Sequence, residues 1–130
     1  MIQAEELPIS GALGDYLKAI YVLSKSESHV RITDISMYLN ISKASVNRAV
    51  NMLCEQGFLE HKLYGDIIIT DKGCKVGAQI YERHNIVRRF LTGVLDIPED
   101  AAEREANYIG RGVSQRTIDK IADLTEHIKA

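Results

Sequence analysis

The 130-residue sequence lacks any apolar run of the roughly 18 residues a membrane-spanning helix requires. It also lacks the charged stretch and short apolar core of a secretory signal, so the expected location is the cytoplasm, with no membrane partner. Cysteine is scarce. Cys54 and Cys74 do not have metal-type spacing, and in a reducing compartment both read as small apolar side chains without a role. A basic excess is missing too: 16 Lys and Arg face 18 Asp and Glu, for a net charge of -2. Any surface for a polyanion must therefore be local. No Ser/His/Asp, Cys/His, paired-carboxylate or glycine-rich phosphate motif has a workable arrangement, so an enzyme is the least favoured class. His29, His61 and His127 stand isolated and are given no role.

What is present is a globular composition, 45% hydrophobic and 26% charged, enough for one core or two small cores sharing a helix. From Gly14 to Ser24, Leu13, Leu17, Ile20 and Tyr21 fall at helical spacing, with Ser10 upstream as a cap. A polar turn follows, and Thr33 is placed to cap a short helix from Asp34 to Leu39. Asn40, Ile41 and Ser42 break the pattern. Ser42 then caps a helix whose buried stripe is Val46, Ala49, Val50 and Leu53 and which ends at Gly57. Phe58 to Leu63 and Ile67 to Ile69 read as two β segments around Tyr64-Gly65-Asp66. Thr70 caps a long helix bearing Val76, Ile80, Val87, Phe90, Leu91 and Val94. Pro98, Glu99 and Asp100 suit the first turn of the next helix, which Gly110 and Gly112 end. Ser114 caps a last helix striped by Ile118, Ile121, Leu124 or Thr125, and Ile128.

The predicted fold is thus mainly α with a small β-hairpin: a winged helix-turn-helix domain over 1–72, then a helical dimerisation domain over 73–130, the linker helix shared. Burying the apolar stripe of the second helix of the motif leaves Lys43, Ser45, Asn47, Arg48 and Asn51 outward, with no carboxylate before Glu55. Arg pairs bidentately with guanine and Asn with adenine, while Ser, Lys and the free N–H groups at a helix start suit phosphate. The candidate DNA-contacting residues are Thr33, Ser42, Lys43, Ala44, Ser45, Asn47, Arg48, Asn51 and, on the wing, Lys62. The wing residues His61, Lys62 and Tyr64 rank behind the helix residues, because Asp66 at the wing tip does not attract phosphate. The alternative of another class, a winged-helix protein-interaction module without DNA binding, is weakened by Lys43 and Arg48 on the outer helix face.

Five segments, Asp15-Tyr16-Leu17-Lys18-Ala19-Ile20-Tyr21, Arg31-Ile32-Thr33-Asp34-Ile35, Ser42-Lys43-Ala44-Ser45-Val46, Ile69-Thr70-Asp71-Lys72-Gly73 and Arg83-His84, make the chain resemble the DtxR/MntR family of metal-dependent repressors. The resemblance runs in one order over nearly the whole sequence, and the length matches the shorter, manganese-sensing branch. It implies a homodimer, joined through helix one and the C-terminal helices, that reads a palindromic operator in double-stranded DNA.

Members of that family bind Mn²⁺ or Fe²⁺ between two domains, using carboxylate and imidazole ligands. The family pattern places an Asp and, three residues on, a Glu in helix one; here those positions are Asp15 and Lys18. The histidine after Arg on the linker helix is present as His84. The next helix would bring a Glu or Cys, then a Glu followed by His; here stand Asn107, Gly110 and Arg111. Two of the departures are cations, which repel a divalent ion. No metal cofactor is expected, and Asp15, His84 and Glu103 are vestigial candidates; the alternative is a Mn- or Fe-responsive repressor that binds the ion weakly at a reduced or displaced site. Lys18 and Arg111 are candidates to supply in place the positive charge that an ion would bring to Asp15, leaving the effector, if any, unassigned.

Overall fold

The computed structural model describes residues 9, 11–27, 29–62 and 65–129. Within them the order is α1 (Gly11–Ser26), α2 (Ile32–Leu39), α3 (Lys43–Glu55), β1 (Leu59–His61), β2 (Ile67–Ile69), α4 (Asp71–Gly93), α5 (Glu99–Gly112) and α6 (Gln115–Lys129). The mainly α architecture with a small hairpin is the one the sequence predicts. The described residues divide into two compact units, one ending at Gln79 and one beginning at Ile80, so that the division falls inside α4.

In the first unit, Leu17 and Ile20 of α1, Ile35 of α2, and Val46, Val50 and Leu53 of α3 are completely buried, together with Phe58 and Ile67 at the hairpin. Helix α1 packs against α2, α3 and β2, and α3 packs against β1. The helix begins at Gly11, earlier than the periodicity suggests, and the expected cap Ser10 lies outside the described residues. Helix α2 starts at Ile32 and not after Thr33. Asp34 Oδ2 accepts from the Arg31 backbone N–H at 2.9 Å, so Arg31 takes the cap position and Thr33 sits in the first turn.

Helix α3 ends as the sequence anticipates. Gly57 at φ +86° sends its N–H to Cys54 O (3.0 Å), and Phe58 N–H reaches Leu53 O (2.9 Å), a Schellman closure that needs a left-handed residue at Gly57. Because the Phe58 N–H serves the helix end, the strand begins at Leu59 and is shorter than expected; Leu63 and Tyr64 lie outside the described residues. The strands are antiparallel, pairing Leu59 with Ile69, Glu60 with Ile68 and His61 with Ile67. Val30, which the sequence reading left without a role, adds a bridge to Ile67 through an N–H to O bond of 2.8 Å.

Thr70 caps α4, its Oγ1 accepting from Gly73 N–H at 3.0 Å while donating toward Gly57 O and Phe58 O at 2.7 and 3.0 Å. At Gly73 the helix passes so close to the hairpin that a Cβ would lie 2.1 Å from the Phe58 carbonyl oxygen. Only glycine fits there.

In the second unit, Val87 and Leu91 of α4, Ala102 and Ala106 of α5 and Ile118 of α6 form the core, with Ile86, Phe90, Ile97, Ile109, Val113 and Ile121 packed around it. Pro98 takes the cap position of α5, and Glu99 and Asp100 occupy its first turn, favourably toward the helix dipole. Gly110 does not end α5. It lies buried inside the helix, facing the α4 backbone at Arg83 and His84, and the helix ends at Gly112. Ser114 caps α6 by accepting from Thr117 N–H at 3.3 Å. Of the alternatives Leu124 and Thr125, Thr125 faces inward, its hydroxyl satisfied by Ile121 O at 2.8 Å, while Leu124 and Ile128 are exposed.

Candidate nucleic-acid interface

The turn between α2 and α3 is held by three local devices. Asn40 adopts the left-handed conformation at φ 56°, a placement its short polar side chain tolerates. Ile41 N–H donates to Ser36 O at 3.1 Å, and the Ser36 hydroxyl donates back to Ile41 O at 2.6 Å. Ser42 then caps α3, accepting from Ser45 N–H at 3.2 Å. The turn is closed tightly enough to aim the start of α3 outward.

On α3 the stripe Val46, Ala49, Val50 and Leu53 is buried as its spacing predicts. Lys43, Ala44, Asn47, Arg48 and Asn51 are exposed, Ser45 is half-buried, and Glu55 is the helix's acidic residue, at its far end. The sequence-predicted residues of α3 therefore lie on its outward side. Ser45 Oγ accepts from the Ser42 hydroxyl at 3.1 Å and from Arg48 Nη2 at 3.2 Å, a connection that spacing alone did not reveal. Thr33 is exposed on α2.

The wing differs from its sequence reading in its electrostatics. Lys62 is exposed but pairs with Glu60 at 3.1 Å, which offsets its charge. Asp66 does not present a bare carboxylate: Arg31 Nε donates to Oδ1 at 3.2 Å and His29 Nδ1 lies 3.0 Å from Oδ2. His29 is exposed and, contrary to its sequence reading, not isolated. The Arg31 guanidinium also lies against Gly65, 3.7 Å from where a Cβ would stand. The pairing of Arg31 with Asp66 was missed because the two lie 35 residues apart, and the signal available was only that each is a charged residue beside a turn.

The remaining candidates are carried by other helices. Asp15 and Lys18 are half-buried on α1 in the first unit; His84, Glu103, Asn107 and Arg111 belong to the second. There His84, 5% exposed, places Nε2 at 2.9 Å from Glu103 Oε2. Arg88 approaches the other oxygen of Glu103 at 3.9 Å and pairs with Glu99 at 2.9 Å. Arg111 stacks its guanidinium over Tyr108 at 5.2 Å. Arg83, 5% exposed, donates to Gly110 O at 2.9 and 2.7 Å, to Val113 O, and to Gln115 Oε1 at 3.2 Å, closing the end of α5 and tying it to the start of α6.

Among the described residues, no three His, Cys, Asp or Glu side chains gather to hold a metal ion, and Glu103 is engaged by an imidazole and a guanidinium. Nor does Cys54 offer a ready thiolate: burial first, and the Glu60 carboxylate second, push its thiol up from the ordinary value. No helix among the described residues is long and apolar enough to cross a membrane.

Residues 9–67 match the family "Iron dependent repressor, N-terminal DNA binding domain", and residues 70–130 match "Iron dependent repressor, metal binding and dimerisation domain". Similar curated proteins include the HTH-type transcriptional regulator MntR of Geobacillus kaustophilus, 28% identical over 118 residues that cover 91% of this chain and 83% of the relative. MntR of Bacillus subtilis is 27% identical over 118 residues, covering 91% and 82%. Among solved structures, a manganese-dependent transcriptional repressor in complex with manganese superposes with a TM-score of 0.80 at 25% identity, covering 88% of this chain and 53% of that one. The manganese regulator SloR gives 0.81 at 22% identity, covering 91% and 55%, so the chain spans about half the length of these solved proteins. With both halves of the family pattern matched in order on a winged helix-turn-helix and a helical unit, the chain belongs to the iron-dependent (DtxR/MntR) repressor family.

Proposed function

We propose that this protein is a cytoplasmic transcriptional repressor that binds a palindromic operator as a homodimer and does so without the metal switch of its family. The DNA-reading half runs through residue 72 and the dimerising half from residue 73, with α4 shared. The observation that carries the DNA-binding reading is the outward side of α3, where Lys43, Asn47, Arg48 and Asn51 are exposed beside Ser42 and Ser45 and no acid intervenes before Glu55. Two such helices in a dimer would enter successive major grooves about 34 Å apart. Homodimerisation is supported by Leu124 and Ile128, 47% and 55% exposed on α6 beside the half-buried Ile121.

Independence from metal rests on the donor set. Lys18 and Arg111 stand where the family carries ligands, and we assign them the role of fixed positive charges in place of an ion. A second reading, a Mn- or Fe-responsive repressor with a reduced site, draws on the 2.9 Å pair of His84 and Glu103. Calorimetric titration of metal-stripped protein with Mn²⁺ and Fe²⁺, alone and with an operator selected from random DNA, separates the two. The expected result is operator binding unchanged by metal, and weakened by Arg111→Glu. Micromolar or tighter metal binding that strengthens operator affinity would establish the second reading, and undiminished affinity of the Arg111→Glu protein would remove the fixed-charge role.

A further inference from the structure

Ser42, Ser45 and Arg48 form a connected hydrogen-bond chain along the outer side of α3. The Ser42 hydroxyl accepts the Ser45 N–H at 3.2 Å and donates its own proton to Ser45 Oγ at 3.1 Å, and Arg48 Nη2 donates to that same Ser45 oxygen at 3.2 Å. A serine hydroxyl has two acceptor lone pairs and one proton. Ser45 thus has both lone pairs occupied, and its proton is what it has left to offer. Arg48 uses one N–H on Ser45 and keeps the rest of its fork.

The Ser45–Arg48 edge consequently presents hydrogen-bond donors, the Ser45 O–H and the remaining Arg48 N–H groups, while the exposed Asn47 offers both a donor and an acceptor. An edge that complements this pattern must offer adjacent acceptors. In the major groove guanine does so through N7 and O6, whereas adenine sets an N6 donor beside its N7 and cytosine presents an amino donor.

We infer that Arg48, held in place by Ser45, reads a guanine in each operator half-site, and that Ser45 is the positioning residue that sets this preference. The inference rests on the DNA-binding reading above. Its energetic basis is preorganisation. A free arginine loses much rotamer freedom when it is immobilised at an interface, and a guanidinium already tied to Ser45 loses less. Without the Ser45 hydroxyl, Arg48 keeps its charge and its attraction to phosphate but is free to swing to any acceptor, so discrimination falls more than affinity.

The test is operator selection from random duplex DNA by the full-length protein, followed by anisotropy titrations of the best operator. Guanine-to-adenine and guanine-to-7-deazaguanine replacements are titrated beside it, each at two salt concentrations. A guanine is expected at one matched position in each half-site, and its exchange for adenine should cost roughly tenfold or more in affinity. The 7-deaza base, which keeps pairing but lacks the N7 acceptor, should cost part of that. Ser45→Ala should cut the guanine-over-adenine ratio severalfold while leaving the slope of affinity against salt intact, Ser45→Thr should restore the ratio, and Arg48→Ala should lose it. Arg48 is an exposed side chain, so its replacement leaves the core untouched even if Ser45→Ala loosens the helix start. Selected operators without that guanine, or an unaltered ratio in both the Ser45→Ala and Arg48→Ala proteins, would overturn the inference while leaving DNA binding standing. Failure of the wild-type protein to bind any selected duplex would overturn both.

Discussion

Arg83 shows how much a single side chain can organise in so small a unit. Almost fully buried, it serves the carbonyls of Gly110 and Val113 and the amide oxygen of Gln115, meeting the unsatisfied end of α5 with a positive charge that the helix dipole also favours. Arg83→Met would fill similar space yet leave those buried carbonyls without donors. It should destabilise the protein by about 1–3 kcal/mol for each one left unsatisfied, read as a lowered midpoint in chemical denaturation. Arg83→Lys should not restore stability, because an ammonium cannot span the same acceptors with a planar fork. The pair Arg83-His84 was visible in the sequence as a family motif, and the motif suggested a metal neighbourhood. The structure gives Arg83 a helix-closing role instead. Asp66 teaches the converse: as a letter it counted against a wing that meets phosphate, and as a placed carboxylate it is answered by Arg31 and His29.

At the level of elements, what was legible was whatever is decided within a few residues. Ser42, Thr70 and Ser114 cap their helices in the positions read from the sequence, because a cap is a bond between a side chain and an N–H three residues on. Gly57 is likewise a local matter of handedness. Thr33 failed as a cap because a competing local bond, Asp34 to the Arg31 N–H, starts α2 earlier. The need for Gly73 was legible only as a family letter. Its reason is the Phe58 carbonyl, which a Cβ would meet at 2.1 Å, and a backbone atom cannot step aside as a side-chain tip can. Gly73→Ala should therefore displace the start of α4 from the hairpin and cost about 1–3 kcal/mol, as overpacking does. A thermal melt would register the loss, and an unchanged melt would show that the helix start yields freely.

The whole molecule raises the question of what covers α6. Leu124 and Ile128 stand exposed on a helix whose inner stripe, Ile118 and Thr125, is already buried. In the proposed homodimer that outer stripe meets a second copy of the chain, and loss of apolar contact there should split the pair. A Leu124→Asp, Ile128→Asp protein is expected to sediment as a monomer with its fold retained by circular dichroism. It should bind a single half-site far better, relative to the palindrome, than the wild type does. A variant still dimeric at micromolar concentration would place the interface elsewhere. The sequence by itself determined the order of the helices, the caps at Ser42, Thr70 and Ser114, the donor-rich outer side of α3 and the four departures from the family's ligand pattern, since each of these depends on residue identity and on hydrogen bonds a few residues long. Only the tertiary structure decided that Thr125 turns inward and Leu124 outward, that Val30 joins the wing, and that Asp66 and Arg83 find partners 35 and 27 residues away. Periodicity marks an apolar side of a helix without naming its neighbour, and a charge acquires its meaning from whatever the folded chain sets within about 3 Å of it.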